Sequence, residues 1–454
     1  MASFSSALAR IKQDLQQFLP DSSILAACRE SGHRWRERKL GPVATVHLFV
    51  LQVLSFNTAI THLRHLAGHG VNSAAYCRAR MRLPLAVLQK LLRDSASAMR
   101  QSLAPLAGTT SLWCGLRSFL IDGSSTITPD TPRLQKAFGQ PKGQRKGCGF
   151  PVPKLLGLFD AFSGLVIEML GFPLYTHEQS KVWQLHPLLG AGDLLVGDCG
   201  FCSFVHLAML SARGVMACFR CHQRQIVDFR PHRKSRDKAA KGDKTGRPTS
   251  TFVRRLGRHD QIVRWKRPST PPKWMSAVQW DAMPQWLDVR ELRYTLACNG
   301  RRTRGVTLAT TLLDPIRYPK EKVAELYGVR WRVETHFAQL KTMLKMRKLK
   351  SKTEAGIRKE LAVYCLAYNL VHAVMLKAAA RQGVTPDRIS FIDAARWLLS
   401  ATPGQALGDL VVNPVRPDRH EPRVRKDRNS SYPFMTRTRR QLRKALKNKE
   451  KTLK

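Results

Sequence analysis

Apolar positions recur every three to four residues through the first hundred residues, the period of helices with one buried face. Leu8, Ile11, Leu15 and Phe18 fit one amphipathic helix, and the run 40–56, broken by His47, Gln52 and Ser55, reads as a buried helix too interrupted to span a membrane. Residues 59–67 (AITHLRHLA), the turn Gly68-His69-Gly70 and Ser73–Arg82 (SAAYCRARMR) have the form of a helix-turn-helix. Ser73 is placed to cap its second helix, which carries Arg78, Arg80 and Arg82 as candidate DNA contacts. A pair of packed helices in an all-α domain would give the same pattern. From about residue 112 the texture changes to short apolar runs bounded by turns. SLWCGLRSFLIDGSS predicts a strand ending at Asp122, and KLLGLFDAFSGLVIEMLGFPL a hairpin turning at Asp160 to Gly164. KVWQLHPLL predicts a helix, DLLVGDCGF a strand ending at Asp198, and FVHLAMLSARG a helix followed by the strand VMACFR. Mixed hairpins and β-α-β units imply an α/β sheet. Strands resume at DQIVRWK, VRELRYTLA and GVTLATTLL, and long helices follow over about 320–348 and 353–380.

Composition sharpens this picture. The chain of 454 residues is long enough for two to four domains, and its 43% hydrophobic content excludes wholesale disorder. Its 77 Lys and Arg against 32 Asp and Glu leave a formal charge of +45. A compact state so charged repels itself unless a polyanion shares its surface, which points to nucleic acid. Residues 230–273 hold 15 Lys/Arg against three acidic residues and read as a solvated basic loop. Residues 416–454 hold 15 against four and read as an arm that touches phosphates without sequence preference. The N-terminus lacks the apolar core and small-residue cleavage site of a secretory signal, so a cytoplasmic setting with reduced cysteines is expected.

Carboxylates are scarce in this chain, so acids at strand ends are informative. Asp122 and Asp198 both fall at the carboxyl edge of a sheet, where open α/β folds place their sites. A third acid lies in the predicted helix YGVRWRVETHFAQLK, where Tyr327, Arg330, Glu334 and Lys341 are spaced +3, +4 and +7. At 3.6 residues per turn they fall within about 60° of one another, on one stripe. An ordinary i,i+4 pair accounts for Arg330 and Glu334 but not for Tyr327 and Lys341 on the same line.

That segment resembles the Y-x2-R-x3-E-x6-K signature of bacterial transposases of the insertion-sequence-four family, and IDGSS and GDCGF match the family's two aspartate motifs in order. The resemblance covers most of the chain. It implies an α/β RNase H-like catalytic core with a β-rich insertion, preceded by an all-α N-terminal domain and followed by a helical, basic C-terminal region. The 136-residue separation of Asp198 and Glu334 leaves room for that insertion. The domains expected are 1–108, helical and DNA-binding; 109–380, catalytic, with the insertion at about 225–310; and 381–454, helical with the basic tail. The resemblance further implies that Asp122, Asp198 and Glu334 are catalytic and hold two Mg²⁺, or Mn²⁺, while Tyr327, Arg330 and Lys341 bind the terminal strand. The expected partners are double-stranded DNA, as element ends and target, and a second copy of the chain, with no membrane. Localisation near the bacterial nucleoid follows. The family usually has arginine where this chain has Cys199.

Two other enzymatic or binding classes remain open at this point. Cys199-x2-Cys202 and Cys218-x2-Cys221, with 15 residues between, match a zinc-ribbon spacing and would suit a non-catalytic, zinc-containing DNA-binding regulator. The apolar helix predicted between the pairs argues for reduced core cysteines and against structural zinc. A stand-alone nuclease of the same core would cut without joining. Trp265, Trp274, Trp280 and Trp286 fall in the insertion, where an aromatic can stack on an unpaired base or pack a hairpin.

Overall fold

The computed structural model describes residues 18–36, 38–67, 71–103, 112–142, 149–222, 224–230, 248–296, 304–400, 405–415 and 437–452. The apolar runs become nine strands: β1 (Arg117–Ser125), β2 (Lys154–Asp160), β3 (Val166–Phe172), β4 (Asp193–Gly197), β5 (Met216–Arg220), β6 (Thr251–Gly257), β7 (Asp260–Lys266), β8 (Trp286–Leu296) and β9 (Arg304–Thr310). They form one sheet in the order β3-β2-β1-β4-β5-β9-β8-β7-β6. β1 is antiparallel to β2 and parallel to β4, and β4 is parallel to β5. This is the strand plan of an RNase H-like core. The central strands β1, β4 and β5 are apolar runs because both their faces are covered.

The insertion continues this sheet: β9 pairs antiparallel with β5, and β8, β7 and β6 follow as a meander. The expectation of a basic loop over 230–273 is therefore corrected in part. Residues 231–247 lie outside the described residues, but Thr251–Gly257 is the edge strand β6, and DQIVRWK is the strand β7 beside it. β6 carries exposed Arg254 and Arg255, the kind of charge that keeps an open edge from pairing with another chain.

The helical layer is α1 (Asp21–Glu30), α2 (Pro42–Leu54), α3 (Ser73–Arg82), α4 (Leu85–Leu103), α5 (Phe204–Ser211), α6 (Lys320–Val329), α7 (Arg332–Ala338), α8 (Glu354–Gln382) and α9 (Phe391–Ser400), with the helix Pro132–Phe138 and shorter turns between, and the basic tail carries a further helix, Arg439–Thr452. α8 is its stem, packed by α2, α4, α9 and β3. An 18-residue window of it is apolar enough to cross a membrane, and 94% of that window is buried inside the protein. One hydrophobic core runs from α1, α2 and α4 through α8 to one face of the sheet; a second lies under α5 on the other face.

The local readings depart from the sequence in several places. All of the first predicted amphipathic helix but Phe18, and the Gly68–Gly70 turn, fall outside the described residues. The cap of α3 is Asn72, whose Oδ1 accepts from Ala74 and Ala75 N–H at 2.9 and 3.0 Å, and Ser73 is the first helical residue. KVWQLHPLL keeps only the end of a short helix, Gln179–Val182, and a single 3₁₀ turn. The hairpin turns at Asp160 as expected, its Oδ1 accepting from Phe162 N–H, Ser163 N–H and the Ser163 hydroxyl.

Two buried charges tie the stem to its neighbours. Lys359 Nζ donates to the carbonyls of Arg80 and Met81 at 3.2 and 2.8 Å, satisfying the carboxyl end of α3. The neighbouring Glu360 accepts from the Lys350 and Ser351 N–H groups at 2.9 and 2.8 Å and from Asn57 at 2.8 Å. The loop that leaves the α7 segment is thus fixed to the helices before the sheet.

Candidate active site

In the parallel ladder Ile121 pairs with Gly197, so Asp122 and Asp198, the next residues, stand side by side where β4 ends. The expectation that β1 also ends there is corrected. β1 continues through Gly123, Ser124 and Ser125, which pair with β2, so Asp122 projects from inside a strand. Its carboxylate also accepts the Gly123 N–H at 2.7 Å.

The segment carrying the four spaced residues crosses this pair. It is not one helix to residue 348: α6 ends at Val329, Arg330 and Trp331 form a turn, α7 follows, and Gln339–Met343 winds as a π-helical turn. π turns widen a helix locally and recur at functional sites. Despite the break, the stripe keeps its line. Tyr327 Oη donates to Asp198 Oδ1 at 3.3 Å, Arg330 Nη1 lies 3.6 Å from Asp122 Oδ2, and Lys341 Nζ donates to Ser124 Oγ at 3.2 Å. Three residues of the stripe therefore meet β4 and successive same-face positions of β1. Glu334 lies between Arg330 and Lys341 on α7, which packs on β1, but its side chain is exposed. Among the described residues no three His, Cys, Asp or Glu side chains gather closely enough to hold a metal ion. Asp122 and Asp198 are brought together, and Glu334 is not drawn in. Three carboxylates without a cation between them would repel, and an exposed helix face lets the third turn to water.

Burial pushes the Asp122 carboxyl up to about 6, aided by the charges of Asp198 and Glu178 and opposed by the Gly123 N–H and Arg330. Arg330 is itself only 5% exposed, and its Nε has no partner among the described residues. A half-buried pair of hard oxygen donors, strained by mutual repulsion, fits a divalent cation such as Mg²⁺ or Mn²⁺. Such an ion must displace the proton that Asp122 keeps below about pH 6. Mn²⁺ affinity, measured calorimetrically, is therefore expected to fall by about tenfold per pH unit below that value and to level off above it.

Glu178 was not singled out from the sequence. Its carboxyl carbon lies 2.6 Å from where a Gly123 side chain would begin, so glycine alone lets this acid approach β1. Lys154 stands 3.8 Å from it. Trp331 is a second addition, 54% exposed with the Arg330 guanidinium 4.5 Å over its ring. Only its place inside the YGVRWRVE segment could have marked it.

Behind α7 a buried polar cluster fixes the segment. Tyr368 Oη meets His336 Nδ1 at 2.9 Å and donates to Gln339 Oε1 at 3.1 Å, and His372 bridges Gln339 and the Ser163 carbonyl at 3.1 and 3.2 Å. Gln339 begins the π turn that presents Lys341. Tyr368→Phe is expected to lower stability by about 1–3 kcal/mol, since it strips a partner from buried groups. Urea titration checks this, and an unchanged midpoint would mean the cluster holds nothing.

Of the three α3 arginines, Arg78 and Arg82 are exposed. Arg80 is not a free cation: its guanidinium lies 3.6 Å over the Phe49 ring and donates to Gln52 Oε1 at 3.1 Å. Trp265 and Trp280 are buried, Trp274 stacks between Trp183 and His206, and Trp286 is exposed. Cys202, Cys218 and Cys221 are buried around the core helix α5, and Cys199 is half-buried beside Asp198.

A family model described as the transposase DDE domain matches residues 113–370, a span that holds Asp122, Asp198 and the whole stripe. The chain is 28% identical over 340 residues to the transposase InsG for insertion sequence element IS4 of Escherichia coli (strain K12), covering 71% of this chain and 70% of that one. It also aligns with the cryo-EM structure of a piggyBac transposase synaptic complex with hairpin DNA, over 87% of this chain and 79% of that one, at 11% identity and a TM-score of 0.37.

Proposed function

Because this chain belongs to the DDE transposase family, in its insertion-sequence-four branch, and is a DNA transposase, we propose that Asp122, Asp198 and Glu334 are its catalytic carboxylates. The observation that carries this assignment is the register of stripe on strand, with Tyr327 at Asp198, Arg330 at Asp122 and Lys341 at Ser124. On this reading the three acids hold a pair of Mg²⁺ ions, with Mn²⁺ as a substitute. When bound, the metal supplies Lewis-acid activation of the attacking oxygen and neutralises charge at the scissile phosphate.

The protein's own side chains do the positioning. Arg330, whose Nη1 lies beside Asp122, is the guanidinium that takes a phosphate oxygen next to that carboxylate. Tyr327 fixes the Asp198 carboxylate, and Lys341 offers a point charge near Ser124. Together they hold the terminal strand so that its phosphate faces the two aspartates. Arg78 and Arg82 contact duplex DNA from α3, and the basic tail beyond residue 415 adds contacts without sequence preference. Pairing two element ends requires at least a dimer on DNA.

The test is a plasmid carrying the element's own ends, incubated with the protein and either Mg²⁺ or EDTA. Nicking and joining that need the metal support the reading. Binding without metal-dependent cutting would overturn it.

A further inference from the structure

Between β3 and the short helix Gln179–Val182 the chain reads Thr176-His177-Glu178, and Glu178 is one of 32 acids set against 77 Lys and Arg. Its carboxylate fills the place that a side chain at position 123 would take. The carboxyl carbon and the two oxygens lie 2.6, 2.6 and 2.8 Å from where that side chain would begin. Asp122, the residue before, lays its own carboxylate on the N–H of the same glycine at 2.7 Å. Two acids therefore flank Gly123, one from the strand and one from the loop. A merely structural acid would satisfy its oxygens on protein donors. Glu178 makes no side-chain hydrogen bond among the described residues, and Lys154 Nζ stands 3.8 Å away as its ion-pair partner. A spare carboxylate beside a site that cuts phosphodiesters repels the substrate unless a cation shares the space.

The loop is held from behind. The Gln179 carbonyl accepts from Nε2 of His206, buried on α5, at 2.8 Å, and the Ser180 carbonyl accepts from Trp183 Nε1 at 3.0 Å. Trp274, between β7 and β8, stacks on both His206 and Trp183, with ring centroids 5.5 and 6.2 Å apart. The insertion thus helps to hold Glu178 against β1.

We propose that Glu178 accepts hydrogen bonds from water molecules on the divalent cation taken by Asp122 and Asp198, and so sets how tightly the site holds its metal; this rests on the reading of those aspartates as catalytic. Mg²⁺ gives up its waters reluctantly and is held through one or two carboxylates, so most of its shell is water whose protons need acceptors. Glu178 lies beside Gly123, yet among the described residues it forms no three-acid cluster close enough to grip an ion. That is the place of an acceptor for those waters and not of a direct ligand. Carboxylates in this position orient the ligands, and losing one costs about 10–100-fold in metal affinity.

The experiment measures Mn²⁺ binding to the full-length protein by titration calorimetry at neutral pH, and follows plasmid nicking by the same preparations against Mn²⁺ concentration. The variants are Glu178→Gln, Gly123→Ala, Asp198→Asn and, as a control, Glu321→Gln, an exposed acid at the start of α6. Glu178→Gln is expected to bind Mn²⁺ about 10–100-fold more weakly with its melting temperature retained, and to regain the wild-type nicking rate to within about twofold once Mn²⁺ is raised by the same factor. Gly123→Ala, whose methyl group evicts the carboxylate, is expected to weaken binding in the same direction, with the control unchanged. Mn²⁺ affinity equal to wild type in Glu178→Gln would overturn the proposal. So would weakened binding with nicking that no Mn²⁺ concentration restores, since Glu178 would then be a direct ligand. Asp198→Asn keeps the two readings apart. If it binds Mn²⁺ as tightly as wild type, the aspartate site itself falls, whereas a loss there with none in Glu178→Gln removes only the role of Glu178.

Discussion

Glu334→Gln is expected to abolish strand cleavage, by at least about a thousandfold, while leaving binding to element ends within about twofold of wild type. The substitution keeps size and polarity and removes one anionic oxygen donor from a site whose other donors are Asp122 and Asp198. Folding should not suffer, because the side chain is exposed and makes no hydrogen bond or ion pair among the described residues. Binding should not weaken either, since the change removes a negative charge from a surface that meets phosphates. Gel-shift and plasmid-nicking assays on the same preparations separate the two effects, and parallel loss of both would count against a metal-ligand role. Glu178→Gln is the comparison that gives the result its meaning. Glu178 lies against β1 in this structure, its carboxylate over Gly123 and its charge felt by Asp122. If Glu178→Gln stopped cleavage and Glu334→Gln did not, the third carboxylate would have been misassigned.

What the sequence made legible follows from how local each cause is. The adjacency of Asp122 and Asp198 follows from two apolar runs that end in acids, because buried parallel strands are written as continuous hydrophobic segments. The stripe of Tyr327, Arg330, Glu334 and Lys341 is legible for the same reason, as a periodicity. Its real geometry is not. The turn at Arg330–Trp331 and the π turn at Gln339–Met343 are imposed by packing against β1 and by the buried cluster around Tyr368, and no spacing announces them. β1 runs past Asp122 because Gly123, Ser124 and Ser125 find partners in β2, a pairing invisible until the strands are placed. Arg80 looked like its neighbours Arg78 and Arg82, and only the tertiary contact with Phe49 and Gln52 sets it apart. Glu178 was not assigned to the site because it reaches β1 from the loop after β3, 56 residues beyond Asp122 and 20 before Asp198, through space that a glycine leaves open.

Asp260→Ala is expected to destabilise the protein by about 3–5 kcal/mol, the cost of leaving a buried charge without its partner. Arg290, on β8, is fully buried, and its Nε and Nη2 meet the two oxygens of Asp260, on the paired strand β7, at 2.8 and 2.5 Å. Its Nη1 donates to the carbonyls of Leu312 and Tyr318 at 3.3 and 2.7 Å. This one guanidinium thus joins the inserted strands to the loop that enters α6, the helix that carries Tyr327. Removing the carboxylate frees the guanidinium to withdraw from those carbonyls, so cleavage should fall together with stability even though neither residue touches the aspartate pair. Replacing both partners, as Asp260→Leu with Arg290→Met, should recover most of the lost stability, because an apolar pair of similar volume leaves no charge stranded. It should recover less of the activity, since the tie to Leu312 and Tyr318 is still missing. Differential scanning calorimetry and the nicking assay on the single and double variants measure both quantities. A single variant that melts within a degree of wild type would show that the pair is not what holds the insertion to the catalytic segment.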